Sequence, residues 1–112
     1  MSKERRREIA RAFKERPDRV GVYAVTCTRH ATVWLGTTRH LDSQKNRLWF
    51  QLGAGTHVNQ ELQKAWATCG ESHFQYEILE EVEDDNPLLL EDLARQRMSH
   101  WQEVLKAKPV LG

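Results

Sequence analysis

Between Val20 and Cys27 the chain alternates Val20, Val22, Ala24 and Thr26 against Gly21, Tyr23, Val25 and Cys27. That period of two predicts a β-strand, and apolar groups on both faces make it a central one. A Thr28-Arg29-His30 turn separates it from a second strand over Ala31–Gly36. The period then lengthens. From His40 to Leu52, Leu41, Leu48 and Leu52 share one helical face, and Gly53-Ala54-Gly55 marks the stop. Asn59 is placed to cap a further helix, where Leu62, Ala65, Trp66 and Cys69 follow i, i+3, i+4, i+7 and Gly70 ends the run. Phe74, Tyr76 and Ile78 alternate with Gln75 and Glu77 in a third strand to Glu80. Asn86-Pro87 opens a last helix in which Leu90, Ala94, Met98, Trp101 and Leu105 form one apolar stripe. Ahead of all these, Ser2 caps a helix carrying Ile9 and Phe13 and ended by Arg16-Pro17.

The sum is an α+β domain, a small three-stranded antiparallel sheet flanked by helices. Its divisions fall at a basic N-terminal helix over 1–18, the domain proper over 19–105, and a C-terminal tail over 106–112 that is expected to fray. One core is what a chain of 112 residues supports. No apolar run nears the ~18 residues of a membrane span, and the basic start is not followed by the apolar stretch of a secretory signal. Cys27 and Cys69 make no disulfide framework, so a reducing, cytoplasmic setting is expected. A net charge of +1 conceals an asymmetry: residues up to Arg19 hold eight Lys/Arg against four acids, whereas Glu77–Asp92 holds eight acids and no base. The first segment suits a polyanion and the second repels one.

Two triplets, Gly21-Val22-Tyr23 and Trp34-Leu35-Gly36, bracket the ten residues Ala24–Val33. After them come Thr37-Thr38-Arg39-His40-Leu41, then Asn59-Gln60-Glu61-Leu62-Gln63-Lys64-Ala65-Trp66, then Gly70-Glu71-Ser72-His73-Phe74-Gln75-Tyr76-Glu77-Ile78-Leu79-Glu80. In this order, over roughly residues 19 to 101, the chain resembles the GIY-YIG nuclease superfamily. The resemblance implies metal-dependent phosphodiester hydrolysis on one face of the sheet. The first-triplet tyrosine would help deprotonate a water, with a second tyrosine supporting it. An arginine on the next helix would steady the phosphate, and a glutamate on the last helix would hold one magnesium or manganese ion. A phosphodiester needs that charge neutralisation and that Lewis acid, and a hard cation needs oxygen ligands.

Carried over position by position, the family roles survive unevenly. Tyr23 matches the first tyrosine. The second is Trp34, flat but without a hydroxyl. The arginine position, eight residues after Gly36, holds Gln44, the histidine four residues later is Leu48, and the metal glutamate three residues before Trp101 is Met98. Met98 and Leu48 both fall on apolar stripes, and methionine is a poor ligand for magnesium. Arg47, one turn from Gln44, and Glu91, two turns from Met98, are the residues that a shifted alignment brings into the empty roles. The candidate catalytic set is therefore Tyr23, Trp34, Arg47 and Glu91, with Arg39, Lys45 and Arg47 facing nucleic acid, DNA ahead of RNA. The residues of a metal site stay unassigned.

These positions point to a domain of the nuclease family that acts on or binds nucleic acid and is impaired as a phosphodiesterase. The alternative is a protein-interaction module on the same fold, with the acidic stretch meeting a basic partner. Cys27-x-x-His30 and Cys69-x-x-x-His73 have zinc-like spacings, but two apolar-face cysteines and two surface histidines account for them. His57 and His100 read as solvent-facing. Trp34, Trp49, Phe50 and Trp66 are candidates to stack on bases, though Trp66 lies on a core stripe; Trp49 and Phe50 point apart on one helix, so one of them is expected to be exposed.

Overall fold

The structure, a computed structural model, describes residues 19–111, so the basic helix read over 1–18 lies outside the described residues. Strands β1 (Gly21–Cys27), β2 (Thr32–Thr38) and β3 (Phe74–Glu81) form an antiparallel set with β1 in the middle. Helices α1 (Gln44–Ala54) and α2 (Gln60–Cys69) separate β2 from β3, and α3 (Leu90–Leu105) follows β3. The register sets Tyr23 opposite Gly36 and Val25 opposite Trp34. On the other side of β1, Tyr23 meets Ile78 and Cys27 meets Phe74, with an irregularity between Val22 and Tyr23.

Among the described residues the sheet has four strands rather than three. Lys108–Pro109 pairs in parallel with β2 as β4, next to Trp34 and Leu35, giving the order β3-β1-β2-β4. The tail expected to fray is thus tied down. Val110 is buried, its N–H donates to the Leu35 carbonyl at 2.7 Å, and the Asn59 side-chain amide donates to the Pro109 and Val110 carbonyls. A two-residue strand containing proline carries no alternation to read, and proline suits it because an edge strand need not donate on both sides.

Helices cover both faces of the sheet. Tyr23, Val25, Cys27, Trp34 and Phe74 share a core with Leu48 and Leu52 of α1 and Leu62 and Cys69 of α2. The intervening strand positions face α3, where Val20, Val82 and Ala94 pack with Leu90 and Leu93. Glu80 fastens that layer: Arg97 Nε and Trp101 Nε1 donate to one of its oxygens at 2.8 and 3.0 Å, which holds its carboxyl below the usual range.

The helix ends follow their caps. The Asn59 side chain accepts from the Leu62 N–H at 3.0 Å, and Gly55, at φ 76°, closes α1 in the left-handed region that glycine tolerates. Strand β2 runs over Thr32–Thr38 rather than Ala31–Gly36, and two helix boundaries also differ from expectation. Helix α1 begins at Gln44 rather than His40, because residues 41–43 form a turn in which the Leu41 N–H donates to the Arg19 carbonyl. Asn86 caps a 3₁₀ turn, Pro87–Leu89, before α3 begins.

Candidate functional site

One end of the sheet opens into a cleft of about 480 Å³, walled by the end of β2, by α1, by the 57–58 loop, by α3 and by Val110-Leu111. Tyr23, Thr38, Arg39, Gln44, Arg47, His57, Glu91 and Arg95 line it. Three arginines therefore surround one carboxylate, and that carboxylate is already engaged, since Arg39 Nη1 donates to Glu91 Oε2 at 2.7 Å. Arg95 pairs with Asp92 one turn along α3. With Arg39 and Arg95 each paired to a carboxylate, Arg47 is the cleft arginine for which no ion pair is seen among the described residues, and it gives the cleft a cationic wall on α1.

Tyr23 is buried beneath the cleft, with its ring stacked on Tyr76 at 5.5 Å. Gln44 Nε2 reaches its hydroxyl oxygen at 3.4 Å, and the Thr38 hydroxyl donates to Gln44 Oε1 at 2.9 Å, a chain that fixes the amide. Burial, with Tyr76 adding to it, pushes the Tyr23 phenol up to about 12. At neutral pH it is a protonated phenol that accepts from Gln44, and desolvation opposes the phenolate that a base would need.

His57, expected at the surface, is buried. The Asn59 N–H donates to its Nδ1 at 3.0 Å, so the neutral ring carries its proton on Nε2. Burial lowers its pKa. The loop is clamped from behind, where the His57 N–H donates to Gln63 Oε1 and Gln63 Nε2 donates to the Leu52 carbonyl. Sequence reasoning missed this residue. Its one signal was position, two residues before a strong N-cap, where the cap's own N–H needs an acceptor.

The fold has known counterparts. The catalytic domain of the homing endonuclease I-TevI matches with a TM-score of 0.65 and 25% identity, over 78% of this chain and 88% of that one. A point mutant of that domain matches with a TM-score of 0.66 at 25% identity, over 79% and 84%. The chain has the GIY-YIG nuclease fold. No protein-family model and no curated protein matches it.

On this GIY-YIG scaffold the sequence-predicted residues divide. Tyr23, Arg39, Arg47 and Glu91 line one cleft although up to 68 positions separate them (Tyr23 to Glu91). Trp34 does not join them. It is buried in the core beside Phe74, and no partner for its indole N–H occurs among the described residues. Lys45 lies over the Trp49 ring at 5.5 Å instead of lining the cleft. Leu48 is buried in the core, while Met98 is half-buried on α3 outside the cleft lining.

The GIY-YIG fold implies a divalent metal, and the donor set here does not fit one. Among the described residues Glu91 is the sole carboxylate lining the cleft, and Arg39 neutralises it. Among the described residues no three His, Cys, Asp or Glu converge. Magnesium bound through one carboxylate, its waters and a substrate phosphate needs that carboxylate free, and here Arg39 holds Glu91. Zinc fares no better: Cys27 and Cys69 are buried 3.5 Å apart, while His30 is exposed.

Proposed function

We propose that this domain binds the sugar-phosphate backbone of nucleic acid, DNA ahead of RNA, in the cleft without hydrolysing it efficiently. The observation that carries the reading is that Arg39, Arg47 and Arg95 line one cleft with the Tyr23 phenol, Arg39 paired with Glu91 and Arg95 with Asp92. Arginine offers a planar fork of donors matched to phosphate oxygens. A phenol held protonated by burial adds a donor, and the Nε2–H of His57 adds another. Gln44, where the resemblance expects arginine, contributes an amide already held between Thr38 and Tyr23.

Hydrolysis asks for more. An attacking water must lose a proton to a base, and the leaving oxygen must be stabilised as charge develops on it. Tyr23 is a poor base when its phenolate is disfavoured, and Glu91 is occupied by Arg39. The same groups hold and orient a phosphodiester well, which is binding without the chemical step.

The test is binding of single- and double-stranded oligonucleotides across a salt series, with a cleavage assay in magnesium and in manganese alongside. Affinity that falls steeply with salt, falls again in Arg47→Ala, and comes with intact oligonucleotide is expected. Absence of binding at low salt removes the reading and leaves the protein-interaction module. Metal-dependent cleavage lost in Tyr23→Phe would show the site to be catalytically competent.

A further inference from the structure

We propose that the cleft takes unpaired nucleotides, and that Phe50 is the platform on which one base stacks. The inference rests on the phosphate-binding reading and adds the substrate class to it. Tyr23 stacks with Tyr76, Trp34 with Phe74, Trp49 packs on Trp66, Trp66 on Phe74, and Trp101 on His100. Phe50 alone among the described aromatic side chains packs against no other ring, and it is 76% exposed. A phenylalanine this open joins neither apolar cluster among the described residues.

Its position is what gives it a use. On α1, Leu48 and Leu52 turn into the core, while Gln44, Arg47 and Gln51 turn toward the cleft. Phe50 follows Arg47 at i+3, the spacing at which helix side chains are surface neighbours, about 5–6 Å apart at Cβ. Successive positions around the helix therefore run from core leucines to cleft amides, then to the arginine, then to the open ring. A nucleotide whose phosphate sits on Arg47 carries its base toward that ring.

The rim repeats the pattern. Val58, 76% exposed, and Leu111, 63% exposed, both line the cleft mouth. Apolar side chains at the edge of an arginine-lined cleft match a ligand that alternates anionic phosphate with flat apolar faces. A duplex keeps its base faces stacked inside and offers none to Phe50, so the surface selects unpaired segments.

The experiment measures dissociation constants for a short single strand and the matching duplex, each as DNA and as RNA, at two salt concentrations. Wild type is compared with Phe50→Ala, Phe50→Trp and Arg47→Ala. Phe50→Ala is expected to weaken single-strand binding about tenfold, leaving the duplex affinity and the salt slope unchanged. Phe50→Trp retains the affinity, and the new indole's fluorescence is quenched when a base stacks on it. Arg47→Ala weakens both forms and lowers the salt slope by roughly 0.7 on single strands. The comparison of DNA with RNA identifies which backbone is preferred. Equal losses on duplex and single strand in Phe50→Ala, or no loss, overturn the platform. If Arg47→Ala still weakens binding in that case, the phosphate cleft stands without it. If neither variant matters, both fall.

Discussion

The Cβ that Gly36 lacks would fall 2.5 Å from the Tyr23 hydroxyl oxygen and 2.7 Å from its Cζ. Tyr23 and Gly36 are register partners on neighbouring strands, so the last residue of the second triplet is glycine because the first triplet's tyrosine lies across it. The two triplets are one packing unit.

Gly36→Ala is therefore expected to destabilise the domain by about 1–3 kcal/mol, the cost of overpacking a filled site. The ring cannot swing away, being 2% exposed between β2 and Tyr76. Gly53→Ala supplies the opposite sign: nothing lies within 4 Å of the added carbon and the residue is helical, so about 0.5–1 kcal/mol is gained. Urea unfolding of the two variants checks both.

Spectrophotometric titration should find no tyrosine ionising near the ordinary value of about 10. The chain has two tyrosines, and burial pushes both Tyr23 and Tyr76 up to about 12. Between those values the unfolded phenols lose protons that the folded ones keep. Stability must then decline as pH rises through that window. A normal transition near 10 that accounts for both tyrosines in the folded protein contradicts the burial of the Tyr23 hydroxyl.

Acid acts through His57. Its pKa is lowered in the fold, so above the unfolded value of about 6.5 its contribution to stability is complete. As pH falls through about 6.5 the unfolded state takes up a proton that the folded state resists, and the contribution is lost. His57→Asn, which keeps an acceptor near the Asn59 N–H, should flatten this part of the profile. An unchanged profile in that variant assigns the acid sensitivity to other groups.

Asn59 does two jobs that one substitution can separate. Its oxygen caps α2 and its amide N–H groups hold the Pro109 and Val110 carbonyls. Asn59→Asp keeps the cap but sets a carboxylate against two carbonyls. It should release β4, seen as faster amide exchange at Val110, while α2 stays protected. Asn59→Ala loses both, at about 1–3 kcal/mol.

Periodicity carried the central strands and the helix faces, because burying Val22, Val25, Leu35, Leu48 and Leu62 imposes its spacing on the sequence. The cap residues Asn59 and Gly70 and the closing Gly55 were legible for the same local reason. β4 was not, since its pairing is decided by Asn59 and Leu35, far away in the chain. The candidate site was half legible. Tyr23 followed from its triplet, and Arg47 and Glu91 from the failure of Gln44 and Met98 to fill their roles. That Arg39 would neutralise Glu91 depends on where α3 crosses β2, a tertiary fact with no local signature. That Trp34 lies in the core and away from the cleft lining was not legible, because alternation says which face a strand residue takes but not how deep it lies. His57 was missed because a loop histidine has no period, and its burial depends on clamping by Asn59 and Gln63.

The pairing of β4 with β2 also fixes a point of departure. Val110 and Leu111 lie on the lip of the arginine-lined cleft. Anything fused after Leu111 sets out from beside the candidate site and is delivered to whatever the cleft holds. A cross-linker attached there tests the proposed ligand at short range.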